Sequence, residues 1–98
     1  MTRITTHPGE ILREEFMIPL GLSANALARA LGVPPNRITA IIAAENPRAV
    51  TPDTALRLSR YFGTTPQLWL NLQLAYDLSE AIAHQGARIN AVVQPRPA

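Results

Sequence analysis

A chain of 98 residues with 47% hydrophobic and 16% charged side chains fits one small globular domain and excludes wholesale disorder. The absence of cysteine excludes a disulfide scaffold, a cysteine nucleophile and any thiolate metal site. Net charge is only +2, carried by nine arginines and no lysine, which by itself does not establish a nucleic-acid partner. No apolar run approaches the roughly 20 residues that span a bilayer. The N-terminal residues lack the apolar stretch of a signal peptide. The expected location is the cytoplasm, with no membrane partner.

Residues 1–6 read as a loose arm. His7-Pro8-Gly9-Glu10 opens a first helix, with proline early, where its missing N–H costs nothing. Ile11, Leu12 and Phe16 form its apolar face, Glu10, Arg13 and Glu14 its polar face, and Pro19 and Gly21 stop it. Ser23 is a good N-cap for a second helix from about Ala24 to Leu31, with Leu27, Ala28 and Leu31 as its buried stripe. Gly32 ends it, and Val33-Pro34 makes the turn. A third helix from Pro35 to about Ala43 buries Ile38, Ile41 and Ile42. Residues 44–50 read as a loop. Thr51-Pro52-Asp53 is a helix start with a threonine cap, a first-position proline and an acid near the positive dipole end. This fourth helix ends at Gly63. Thr65-Pro66 starts a longer fifth helix to about Gln85, ended by Gly86. The tail 86–98 reads as mixed, with Ile89 and Val92-Val93 able to form an extended segment and residues 94–97 expected to be mobile. The expected fold is all-α, with five helices, no strand and no repeat, and with the domain proper at residues 7–85.

Residues 24–43 are the informative stretch. A helix-turn-helix needs two steeply crossing helices joined by a tight turn. Gly32 supplies the left-handed turn residue, and Ala28 the small residue where the helices touch. Leu27 and Leu31 before the turn, Val33 in it, and Ile38 and Ile41 after it supply the apolar contacts. The alternative is a helical hairpin in an unrelated all-α domain.

Residues 23–43 resemble the lambda-repressor-like (Xre) helix-turn-helix domain. The likeness extends through His7-Pro8-Gly9-Glu10-Ile11-Leu12, Leu20-Gly21-Leu22-Ser23, Thr51-Pro52-Asp53-Thr54-Ala55-Leu56-Arg57-Leu58, Tyr61-Phe62-Gly63-Thr64-Thr65-Pro66, Trp69-Leu70-Asn71-Leu72-Gln73 and Tyr76-Asp77-Leu78. These blocks are similar to the HigA-type antitoxins. The resemblance implies a five-helix lambda-repressor-like DNA-binding domain with a long C-terminal helix. It implies an antitoxin that neutralises a RelE-like, HigB-type toxin cleaving mRNA, and that represses its own operon as a homodimer on double-stranded operator DNA. The chain departs from the family at Ala44-Glu45-Asn46-Pro47. That turn is about two residues longer than the family's usual one and lacks its glycine, which puts a backbone phosphate contact there in question. Arg48 matches the basic residue that the family carries after the turn.

In such a domain the third helix enters the major groove and residues near its N-terminus meet base edges. Pro35, Asn36, Arg37, Thr39, Ala40 and Ala43 are its outward positions, with Asn36, Arg37 and Thr39 carrying the polar load. For Asn36 the alternative is a plain helix-start residue, and for Arg37 a solvated or intramolecularly paired arginine. Ala24 and Asn25 open the second helix, whose N–H groups can meet a phosphate, and Arg48 is assigned to the backbone. Residues 23–62 hold five arginines against Glu45 and Asp53, a net +3, and the rest of the chain is −1, so the positive excess sits in the helix-turn-helix region.

The fifth helix has one narrow polar arc, Gln73, Asp77, Glu80 and His84, and is apolar around most of the rest. A surface helix needs one apolar stripe. The excess predicts a two-fold dimer through this helix, with Trp69, Leu70, Leu74 and Leu78 at the seam. In an alternative arrangement Trp69 and Leu72 are core, and Leu70, Leu74 and Leu78 face the twin. The polar face of the first helix (Glu10, Arg13, Glu14) is then left for a basic toxin. His7 and His84 belong to no metal-spaced cluster, no glycine-rich phosphate loop is present, and Glu14-Glu15 do not share a helix face. No cofactor, metal or catalytic residue is expected, and the chain does not read as an enzyme. His7 is expected to arrange the first helix start. The rival functions are a stand-alone repressor without a toxin and a protein-interaction module that has lost DNA binding.

Overall fold

The computed structural model describes residues 3–97; Met1 and Thr2 of the expected arm and Ala98 of the tail lie outside the described residues. Five helices and no strand are present among the described residues. We label them α1 (residues 8–20), α2 (Ala24–Leu31), α3 (Pro35–Ile41), α4 (Pro52–Phe62) and α5 (Pro66–Val92). α1 is continuous but not uniform: Pro8–Ile11 is α, Leu12–Met17 is π-wound and Ile18–Leu20 is α again. The Ile18 N–H donates to Arg13 O, five residues back. Pro19 stands inside this helix and does not end it. A proline ring crowds the carbonyl four residues earlier, and a widened turn just before it gives that carbonyl room. The chain then leaves the helix at Gly21, with φ +65°.

Local chemistry explains each start. His7 Nδ1 accepts the Gly9 N–H at 2.9 Å, so the imidazole caps α1 as expected. Ser23, Thr51 and Thr65 cap α2, α4 and α5 with their hydroxyls, each accepting an N–H three residues on. Gly32 adopts φ +70° at the end of α2, where a side chain would be strained, and turns the chain into α3.

The core is Leu12, Met17, Leu27, Ala28, Leu31, Ile38, Ile41, Val50, Ala55, Leu58 and Trp69. Phe16, Phe62 and Trp69 tie α1, α4 and α5 together, with centroid separations of 4.8 Å and 5.2 Å. Trp69 is fully buried, and its Nε1 donates to Thr64 Oγ1 at 2.9 Å. It is therefore core of its own chain and is corrected out of the expected dimer seam. Gln73, expected on the polar arc, is also buried. Its Oε1 accepts the Val50 N–H at 2.8 Å and its Nε2 donates to Asp77 Oδ1 at 2.9 Å, which fixes the segment leading into α4.

Gly86 does not end α5. It keeps a helical φ, and the helix runs on to Val92. A glycine inside a helix costs about 1 kcal/mol, which the neighbouring helix formers absorb. The helix ends at its C-cap Val93, and Pro95, two residues on, cannot continue it. Ile89 and Val92 are thus helical, and of the expected extended segment only Val93 is extended. The 27 residues of α5 span about 40 Å, and the molecule measures 53 × 27 × 21 Å. The segment 81–92 projects beyond the core, with only Gly86 half-buried. The arm at residues 3–6 is exposed but anchored, because the Thr5 N–H donates to Ser79 Oγ at 3.1 Å.

Candidate nucleic-acid interface

α3 is short, begins with Pro34 as N-cap and Pro35 at its first position, and buries Ile38 and Ile41 completely or nearly so. Those two side chains fix its roll. Pro35, Asn36 and Thr39 are left exposed, and Ala40 is half-buried beside them. Thr39 Oγ1 donates to Asn36 O at 3.3 Å, so its hydroxyl is tied back to the first turn of the helix. Ala43 lies past the helix, beyond the C-cap residue Ile42, and so sits in the following loop rather than on α3 as the sequence suggested.

Arg37 is half-buried and intramolecularly paired. Its Nη1 donates to Asp53 Oδ2 on α4. The same oxygen accepts from Arg57 Nε at 3.0 Å. Arg57 Nη1 in turn donates to Leu31 O at 2.8 Å and more weakly to Gly32 O at 3.4 Å, at the end of α2. One carboxylate oxygen therefore links α4 to the first turn of α3, and Arg57 links α4 to the turn. Two hydrogen bonds, first from Arg57 and then from Arg37, hold the Asp53 carboxyl below the usual carboxylate range. Sequence reading placed Asp53 at a helix dipole and left this clamp unseen. The Asp53–Arg57 half of it lies at i, i+4 and is readable. The Arg37 half joins residues 16 apart and is not.

Two depressions flank α3. Asn25, Arg29, Val33 and Pro35 line one, where α2 meets α3. Arg37, Ile41, Arg48, Ala49, Thr51 and Thr54 line the other, where the loop meets α4. Each holds at least one arginine, and Arg29, exposed beside Asn25, was not singled out from the sequence. Ser23 Oγ accepts the Ala26 N–H, so the N–H groups of Ala24 and Asn25 lie ahead of the first intrahelical bond. Ala24 itself is half-buried against the core.

The departure at residues 44–47 has a physical resolution. Asn46 adopts φ +49°, the only positive φ of a non-glycine residue among those described. Asparagine tolerates that region better than most residues, so Asn46 makes the left-handed turn without glycine. The Arg48 N–H then donates to Ala40 O at 2.9 Å, returning the chain to the end of α3.

Of the other expected surfaces, Leu74 and Leu78 are exposed and Leu70 is half-buried. Glu10 is exposed, while Arg13 and Glu14 pair with each other at 2.9 Å. No His, Asp or Glu cluster suited to a metal occurs among the described residues. Among the described residues no helix is long and apolar enough to cross a membrane.

The Helix-turn-helix family matches residues 12–69. Virulence-associated protein I of Dichelobacter nodosus is 61% identical over 75 residues, which cover 76% of this chain and 68% of that one. A solved addiction-module antidote protein of a HigA family from Coxiella burnetii is 49% identical, with a TM-score of 0.86 over 96% of this chain and all of that one. Pseudomonas aeruginosa antitoxin HigA, solved with higBA promoter, is 43% identical, with a TM-score of 0.86 over 94% of this chain and 98% of that one. The order of the sequence blocks, the five helices and these likenesses agree, and the chain belongs to the Xre-type helix-turn-helix family, in its HigA-like branch.

Proposed function

We propose that this chain is an antitoxin that represses its own operon by binding operator DNA as a dimer, and that it neutralises a RelE-like, HigB-type toxin. The observation behind the DNA reading is the outer face of α3. Asn36, Thr39, Ala40 and Pro35 point away from a core that Ile38 and Ile41 fix, between two depressions lined by Arg29 on one side and Arg37 and Arg48 on the other. In this reading Asn36 and Arg37 address base edges, and Thr39, Ala40 and Pro35 make close or methyl contacts. Ala24, Asn25, Arg29 and Arg48 meet phosphates, with Ala43 alongside. That a similar antitoxin is solved with promoter DNA supports the DNA-binding reading as such.

The dimer reading rests on the outer face of α5. At about 100° per residue, Leu74, Leu78, Ile82, Ile89 and Val92 fall within an arc of about 80°, roughly opposite Trp69 and Tyr76. All five are exposed, from 45% for Ile82 to 71% for Val92. An apolar stripe of that length on a projecting helix is best covered by the same stripe of a second copy. The toxin surface is assigned to the outer face of α1 at Glu10, Arg13 and Glu14, where acidic groups suit a basic RNA-cleaving partner.

Co-expression with the neighbouring small gene, followed by pull-down and growth rescue, tests the toxin part. Titration of the purified chain on its own promoter at several salt concentrations tests the DNA part. Operator affinity should fall with salt with a log–log slope of about −0.9 per phosphate contacted. A complex with no promoter binding would leave only the interaction role. Promoter binding with no captured partner would leave a stand-alone repressor.

A further inference from the structure

The clamp at Asp53 bears on sequence selectivity. Arg37 stands at the third position of α3, in the turn that faces base edges in the DNA-binding reading on which this inference rests. A guanidinium has five N–H groups in a rigid fork, and Asp53 takes one of them through Nη1. The remaining donors keep a fixed direction instead of sampling the rotamers of a free arginine. The side chain is only 35% exposed, which limits it further. Charge matters as well. Asp53, Arg37 and Arg57 together carry +1 where the two arginines alone would carry +2, and the carboxylate, held below its usual range by both, stays ionised across the neutral region. Attraction to phosphate raises affinity for all sequences alike, whereas a directed arginine edge distinguishes guanine from the other bases. A carboxylate next to the reading arginine lowers the first contribution and preserves the second, and it also repels a misplaced phosphate.

We propose that Asp53 is a positioning residue that sets DNA specificity: it directs Arg37 toward a guanine edge in the operator half-site and suppresses binding of α3 to unrelated sequence. Asp53 also lies in the first turn of α4, where an acid stabilises the helix, so the two roles need separating.

The test compares the full-length chain with D53N, D53E, R37A and the R37A/D53N double variant. Fluorescence anisotropy is measured on the operator and on an unrelated duplex of equal length, over a series of salt concentrations. D53N should bind the unrelated duplex several-fold more tightly and reduce the operator-to-unrelated ratio at least tenfold. Its salt slope should steepen by about 0.9 for each arginine released onto phosphate. D53E should restore most of the ratio. In the R37A background, D53N should change the ratio less than twofold, because its effect passes through Arg37. A merely structural role would lower the melting temperature and leave ratio and slope alone. Unchanged ratio and slope in D53N, with the wild-type chain still selecting its operator, overturns the proposal and leaves the DNA reading standing. The same holds if D53N acts equally in the R37A background. Failure of the wild-type chain to select its operator removes the DNA reading, and this proposal with it. If D53N does not fold, NMR of the wild-type arginine side chains decides. Hindered rotation of the Arg37 guanidinium, beside an averaged Arg48, supports the clamp, and an averaged Arg37 overturns it.

Discussion

Replacement of Gly9 by alanine tests the joint between α1 and α3. A Cβ built on Gly9 lies 1.9 Å from the Ile41 carbonyl oxygen and 2.8 Å from its carbon, whereas real Cβ contacts essentially never fall below 3.0 Å. The two backbones must therefore part by about 1 Å, and because the partner is backbone, no side chain can swing aside. Gly9 has no positive φ and sits in the first turn of a helix. Helix propensity alone would make alanine stabilising there by up to about 1 kcal/mol. Overpacking of this kind costs about 1–3 kcal/mol, with the upper end apt for a rigid partner. The expected net loss is about 1–2 kcal/mol. In a domain of this size that lowers Tm by roughly 5–15 °C at fixed protein concentration. Operator affinity should fall too, because the displaced carbonyl is the last residue of α3. Thermal melting by circular dichroism, paired with operator binding below the transition, reads both effects. The two contributions have opposite signs, so the outcome is decisive. A G9A variant as stable as the wild type, or more stable, would refute the close approach of α1 to the end of α3.

Three further outcomes are expected. Q73A should cost about 1–3 kcal/mol in urea unfolding, since it strands the Val50 N–H that Gln73 Oε1 accepts; an unchanged midpoint would deny that bond a role. His7 is buried, its Nε2 finds no hydrogen-bond partner, and its ring stacks edge-to-face with Tyr76 at 4.8 Å. Burial pushes its pKa below the ordinary 6.5, and nearby Asp77 opposes the shift. The unfolded chain then binds the proton more readily than the folded one. Stability is accordingly full above pH 6.5 and declines as pH falls below that value until the folded pKa is passed. H7N, which keeps an oxygen able to cap Gly9, should flatten the slope between neutral and mildly acidic pH, and an unaltered slope would place its origin elsewhere. L74E, on the exposed face of α5, should shift sedimentation toward monomer without loss of helicity, and a persistent dimer would move the interface off that face.

Much of this molecule was legible along the chain. Helix starts at His7, Ser23, Thr51 and Thr65, and the stops at Gly21, Gly32 and Gly63, are decided by short-range chemistry: a side-chain acceptor two or three residues before the N–H it caps, a fixed proline φ, a glycine free to turn left-handed. The spacing of Leu27, Ala28, Leu31, Ile38 and Ile41 likewise fixed which faces of α2 and α3 turn inward. Tertiary structure decided what depends on partners distant in sequence. Whether Trp69 faced a twin or its own core turned on Phe16, 53 residues earlier, being there to receive it. Gln73 looks polar and outward until Val50, 23 residues away, presents an N–H that nothing else satisfies. The reach of α5 past Gly86 followed from the helix tolerating one glycine, a matter of energy balance rather than of residue type. The need for glycine at position 9 came from a carbonyl 32 positions on, and the state of Arg37 from a carboxylate on another helix. Local pattern settles where a helix begins and which way it faces, but a buried polar group or a paired charge takes its meaning from the atom that folding brings opposite it.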